Sequence, residues 1–345
     1  MLDDSNVLKQ RDPQNALGVA ATEPDQLKNV AEVVNTPGGK KVITSVVITG
    51  MGGSALAAGL AKNWLDMAVP FEIVRRYQLP AYVNATTLVI ASSYSGNTEE
   101  TLSAYQEAMA KGAHVAVLAS GGKLLDAAKE NSQPYVELDS KGIQPRMAVL
   151  ANLKALVHLL ESYKLVEGKS AELEGTVKWL KDELKSWLPS VPEKENYAKQ
   201  LAQELPGKTP IVYAGSIMGA LGYKWKIGFN ENAKNVSFAN ELPEFNHNEF
   251  IGWSSHPTEK PYAVLDLVSS FEHPQVLKRF AITDRLLSGM RPKATRIELH
   301  GNTALEQMLW GAILGDFVSI YLAILNGVNP TPVDLVEKFK AELNK

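Results

Sequence analysis

A β-branched run, Val46-Val47-Ile48-Thr49, stops at Gly50-Met51-Gly52-Gly53-Ser54 and passes straight into an alanine-rich stretch at 55–59. β-Branched side chains favour extended backbone and alanine favours helix, so the stretch reads strand, tight turn, helix start. The unit repeats along the chain. Strand-like runs at 43–49, 71–74, 86–92, 113–119 and 134–138 alternate with helix-like runs at 55–65, 99–111 and 124–130. Strands separated by helices are joined by crossovers, and crossovers make the sheet parallel, so the expected class is α/β.

From residue 147 to about 204 the pattern turns helical, with Leu150, Leu153, Val157 and Leu160 spaced as one buried stripe. The segment 186–194, SWLPSVPEK, carries two prolines and reads as a linker. The alternation then restarts. A strand at 209–214 meets Gly215-Ser216, and YAGSIMGAL echoes TGMGGSALAAG, as tandem copies of one α/β unit would. Further strands are expected at 262–268 and 295–299, a long helix at 305–325 and a last amphipathic helix at 333–343. The expected organisation is a helical and loop preface at 1–40, a first subdomain with trailing helices at 41–185, a second at 195–330 and a C-terminal helix at 331–345.

Composition excludes several functions. The 35 Lys and Arg against 38 Asp and Glu give a net charge of −3, with none of the basic excess that nucleic acid or anionic membrane demands. No cysteine is present, so disulfides, thiolate catalysis and cysteine-ligated metals are excluded. Six histidines occur, none in H-E-x-x-H spacing. The chain starts polar and acidic, unlike a signal peptide, and a cytoplasmic protein is expected. The apolar run 308–325 carries Asp316 near its middle, which points to a buried core helix and not to a membrane span.

A glycine turn between strand and helix offers free N–H groups and the positive end of a helix dipole to a phosphate. Gly50-x-Gly52-x-x-Ala55 also fits a dinucleotide fingerprint, which needs an acid about twenty residues on at the end of the next strand. Glu72 has about the right spacing but starts its strand. The stronger feature is SSYSGNTEET, 92–101, where Ser93, Ser95 and Thr98 place three hydroxyls in one strand-to-helix turn. With Ser54 they suit a phosphate dianion. Helix capping is the plain alternative, since Asn97 with Glu100 has capping-box spacing and Ser54 fits a cap for its own helix, but a cap needs one hydroxyl and the surplus favours a ligand.

The motifs GMGGS, SYSGNTEET, PRMAVL, FNENAKN and PEFNHNE, in this order, resemble the bifunctional phosphoglucose/phosphomannose isomerases of the sugar isomerase (SIS) superfamily. The resemblance runs from about residue 46 to the C-terminal helix. It implies two tandem SIS subdomains, each a parallel sheet flanked by helices, in a homodimer, with a sugar phosphate as substrate and no cofactor or metal. It places substrate phosphate binding on Gly53, Ser54, Ser93, Ser95 and Thr98. The catalytic arginine falls on Arg146, the base on Glu231, the ring-opening histidine on His247 and the C-terminal lysine on Lys340. The histidine is expected to reach the site from the partner subunit. Some family members carry a threonine seven residues before the lysine. Here that position is Val333, and the same spacing measured from Thr331 lands on Lys338.

These residue types suit an aldose–ketose isomerisation through a cis-enediol. It requires a phosphate anchor, a ring-opening acid, a carboxylate base and a cation beside the enediolate. Two rival readings are a non-catalytic SIS sugar-phosphate sensor, which has no need of a base, and a nicotinamide-binding enzyme built on the glycine turn.

Overall fold

The computed structural model describes residues 1–28, 32–39, 41–139, 142–255 and 261–343. Nine strands and thirteen α-helices are assigned among them. In chain order they are α1 (Ser5–Arg11), α2 (Ala16–Thr22), β1 (Ser45–Thr49), α3 (Gly52–Trp64), β2 (Phe71–Val74), β3 (Thr87–Ser93), α4 (Glu99–Ala110), β4 (His114–Ala119), α5 (Gly122–Glu130), β5 (Tyr135–Glu137), α6 (Val149–Ser162) and α7 (Lys169–Glu183). There follow α8 (Tyr197–Gln203), β6 (Thr209–Gly215), α9 (Gly219–Glu231), β7 (Phe238–Leu242), α10 (Glu249–Gly252), β8 (Tyr262–Val268), α11 (Pro274–Leu286), β9 (Thr295–Glu298), α12 (Ala304–Leu325) and α13 (Asp334–Leu343). The fold is α/β, with two parallel sheets, each flanked by helices. The chain divides into two compact units, Thr22–Trp179 and Met1–Ala21 with Leu180–Lys345.

In the N-terminal unit the strand order is β2-β1-β3-β4-β5, and every pair is parallel. Side chains alternate across a strand. Val47, Val89, Val115 and Val117 therefore share one face, where Ala104, Tyr105 and Ala108 of α4 and Leu124, Leu125 and Ala128 of α5 close over them. Residues one step out of register, such as Ile48 and Ile90, are also fully buried, so β1 and β3 are covered on both faces. α3 packs against α6.

In the C-terminal unit the order is β7-β6-β8-β9, again all parallel. The strand register matches the first sheet: Thr49 lies opposite Ala91 in β3, and Ala214 opposite Leu267 in β8. One face carries Phe245, Trp253, Val276 and Phe280. α12 packs against α8 and α9.

α12 is long and apolar enough to cross a membrane by length and composition, yet it is buried along almost its whole length inside this unit. Its acid is answered from α9. Asp316 and Lys224 are each 3% exposed and form an ion pair, and the lysine also donates to the Ala312 carbonyl. Breaking such a pair strands a buried charge. Asp316→Ala is expected to destabilise the protein by about 3–5 kcal/mol in urea denaturation, and replacing both partners by apolar residues recovers most of that. A loss near zero for Asp316→Ala would show that the pair is solvated.

Candidate functional site

The N-terminal unit gathers its expected residues at the carboxyl ends of β1 and β3. Ser54 is buried in the first turn of α3, and its Oγ accepts from the Tyr94 N–H at 3.2 Å. Ser93 closes β3, and its hydroxyl bonds that of Thr98 at 2.8 Å. Ser95 is exposed, and its Oγ accepts from the Asn97 N–H at 3.3 Å. Burial, and the charge of Asp139, hold the Tyr94 phenol above its ordinary pKa, so it stays a neutral hydroxyl.

The capping reading fails at both helices. Thr98 is the N-cap of α4 but makes no side-chain cap bond, and Met51, the N-cap of α3, makes none either. Asn97 turns elsewhere: its Oδ1 accepts from the Lys123 N–H at 3.2 Å and its Nδ2 donates to the Ser95 carbonyl. Two helix N-termini therefore point their dipoles into a turn lined by hydroxyls that are not spent on caps.

The turn is braced from the β4–α5 loop. Ser120 N–H donates to the Tyr94 carbonyl and Leu124 N–H to the Gly96 carbonyl, both at 3.0 Å. Gly96 adopts φ +69°, and a methyl group there would lie 1.7 Å from the Gly121 carbonyl oxygen, so no other residue fits. The bracing loop was not singled out from sequence. Its signal was Ser120-Gly121-Gly122, a third glycine-bearing strand-to-helix turn.

Arg146 joins this group through Gly53. A methyl group on Gly53 would come within 2.4 Å of the Pro145 carbonyl oxygen, so the glycine lets the 145–147 turn lie on the start of α3. Arg146 is 4% exposed, and its guanidinium donates to Gln144 Oε1 at 3.4 Å. The backbone of Arg146 is thus held against the first turn of α3, the turn that carries Ser54. The dinucleotide reading gains nothing here. Glu72 lies opposite Val47, early in β2, and accepts from the Tyr82 hydroxyl, while Arg75 and Arg76 follow the strand's carboxyl end.

In the C-terminal unit Glu231 is the last residue of α9 and half-buried. α9 is clamped to α12 by Trp225 Nε1 donating to the Gly311 carbonyl at 2.8 Å, by Lys224 with Asp316, and by Asn232 Nδ2 donating to Ser319 Oγ at 2.9 Å. Lys234 Nζ donates to the carbonyls of Glu231 (2.8 Å) and Pro330 (2.9 Å), which ties the root of α13 to the end of α9. Lys340 on α13 is exposed and pairs with Glu337 at 2.8 Å; α13 buries no residue.

His247 stands apart from Glu231 within this unit. α9 leaves the carboxyl end of β6 and returns along the sheet, so Glu231 lies at the amino edge, where Asn235 Nδ2 donates to the Lys208 carbonyl just before β6. β7 then runs back, and His247 is exposed in the turn 244–247 beyond its carboxyl end. Thirteen helical residues separate the two levels, roughly 20 Å.

Residues 194–343 match the family model for the bacterial phospho-glucose isomerase C-terminal SIS domain. The chain is 38% identical over 337 residues to the bifunctional phosphoglucose/phosphomannose isomerase of Caldicellulosiruptor bescii, covering 93% of this chain and 96% of that one. It is 35% identical to the protein of the same name from Aquifex aeolicus, covering 87% and 90%. Among solved structures, a glucose-6-phosphate isomerase like protein from Thermus thermophilus aligns over 99% of this chain and 98% of its own, with TM-score 0.63 and 18% identity, a likeness of fold. Tandem parallel sheets, the hydroxyl turn and this similarity across nearly the whole length converge: the chain belongs to the bifunctional phosphoglucose/phosphomannose isomerase family.

Proposed function

We propose that this protein is an aldose–ketose isomerase that interconverts glucose 6-phosphate, and also mannose 6-phosphate, with fructose 6-phosphate through a cis-enediol. The observation that carries the reading is the hydroxyl turn. Ser54, Ser93, Ser95 and Thr98 meet at two helix starts without capping either, with Gly53 admitting the Arg146 turn beside them. This suits a phosphate dianion held by hydroxyls and backbone N–H groups.

Glu231 is assigned the proton transfer between C1 and C2, and Arg146 the stabilisation of the enediolate. His247, with Lys340, assists ring opening as a proton donor to the ring oxygen. The separation of Glu231 from His247 within one chain supports a homodimer in which each histidine serves the partner's glutamate. The reaction and its phosphorylated substrates fit a cytoplasmic enzyme. Neither substrate nor chemistry calls for a nucleotide cofactor.

A coupled assay with glucose 6-phosphate and mannose 6-phosphate offered separately tests the reading: turnover of both is expected. Saturable sugar-phosphate binding with no turnover of either would make the protein a sensor. In the same assay Ser95→Ala and Thr98→Val are each expected to raise KM about 10-fold or more, the cost of a lost hydrogen bond to a charged group. KM values equal to wild type would remove these hydroxyls from the phosphate site.

A further inference from the structure

The two sheets carry the same connections, with β6, β7, β8 and β9 in the places of β1, β2, β3 and β4. The C-terminal unit therefore has its own strand-to-helix turn after β6 and its own loop after β8, where the N-terminal unit has its hydroxyl turn. The second loop reads Ser269-Ser270-Phe271-Glu272, and the matched strand register sets it against Ser93-Tyr94-Ser95-Gly96 in the first. An acid stands three residues after the strand-end Ser269, where the first unit has Gly96 three residues after Ser93.

Glu272 is 4% exposed and turns into the start of the helical segment that follows β6. Its Oε1 accepts from the Ile217 N–H at 2.8 Å, and the Met218 N–H also bonds the carboxylate. Oε2 is buried with no hydrogen-bond partner. The carboxyl group fills the space over Gly215, where a methyl group would lie 2.2 Å from its carbon. Ser216 sends its hydroxyl to the Leu242 carbonyl (3.4 Å). In the first unit the position that matches Gly215 is Gly50, where a methyl group would lie 2.8 Å from the Ser92 carbonyl oxygen and no carboxylate is among its nearest neighbours; a side chain on Gly52, which matches Ile217, meets no neighbouring group within 4 Å. A carboxylate thus takes the N–H groups of Ile217 and Met218, whose counterparts in the first unit are those of Gly52 and Gly53.

We infer that the C-terminal unit contains a second phosphate cradle, held shut by the Glu272 carboxylate, which occupies the seat of the anion. The side chain supplies the negative charge that the helix N-terminus and its free N–H groups attract. The chain then binds one phosphosugar and not two, and the start of α9, the helix that ends in Glu231, is fixed by a residue of the protein. This rests on the N-terminal turn being a phosphate seat.

Titration with inorganic phosphate, at ionic strength matched with chloride and followed by calorimetry, tests it. Wild type is expected to bind about one phosphate per chain, and Glu272→Ser about two. Glu241 lies against Gly219 at the same helix start and repels an anion there, so Glu272→Ser/Glu241→Gln is measured alongside. Ser95→Ala/Thr98→Val is expected to lose the first phosphate without Glu272→Ser and to keep the second with it. A first phosphate that survives Ser95→Ala/Thr98→Val counts against the N-terminal seat alone. If both Glu272 variants are folded by circular dichroism and neither binds an additional phosphate, the inference is overturned. If the variants do not fold in chloride, phosphate must restore folding; failure to do so overturns it as well.

Discussion

Replacing Glu231 with alanine is expected to lower turnover of glucose 6-phosphate about a thousand-fold, within the range a positioned acid–base group contributes. Binding of 6-phosphogluconate is expected to stay near wild type, because the phosphate group is assigned to hydroxyls of the other unit. The fold is expected to survive. A carboxylate at the C-terminal end of a helix gains nothing from the helix dipole, and α9 is held on α12 by Trp225, Lys224 and Asn232, which the substitution leaves in place. Lys234 anchors the turn through the Glu231 carbonyl, which alanine keeps. Wild-type turnover in Glu231→Ala would remove it as the base, and a parallel loss of 6-phosphogluconate affinity would make its role structural.

Mixing two inactive proteins is expected to restore activity. Glu231 and His247 sit at opposite ends of the C-terminal sheet in one chain. If each histidine serves the partner's glutamate, a heterodimer of Glu231→Ala and His247→Ala has one intact Glu–His pair and one doubly defective pair. Random exchange makes half of the dimers mixed and half of their sites intact, so about a quarter of wild-type activity returns. No recovery after demonstrated subunit exchange would place both groups in one protomer's site.

The strand-and-turn skeleton was legible because buried parallel strands leave dense apolar runs. β8 was read to its last residue, and β1, β3, β4 and β6 to within two. β7 was missed. It is an edge strand whose Phe238 is exposed and whose residues do not alternate, so no periodic signal marks it. α11 was missed as well, since its buried Val276, Phe280 and Thr283 are too few among charged neighbours to stand out.

The hydroxyl turn was visible in the sequence, where its surplus of hydroxyls favoured a ligand over capping, but the hydrogen bonds its side chains make were not. Only the Ser93–Thr98 and Ser54–Tyr94 hydrogen bonds separate a cradle from two ordinary caps. The first 21 residues join the C-terminal unit through Asp3 with Lys199 at 2.9 Å and through Arg11 with the Ile324 carbonyl. Contacts spanning almost two hundred residues or more leave no local pattern to read. Glu272 was overlooked for a related reason: its meaning comes from the helix start it reaches, more than fifty residues away.

The most direct test of the account is a crystal soaked with fructose 6-phosphate. The phosphate group is expected within hydrogen-bond distance of the Ser95 and Thr98 hydroxyls and the first N–H groups of α3 and α4. A phosphate group found elsewhere, with this turn empty, contradicts the account.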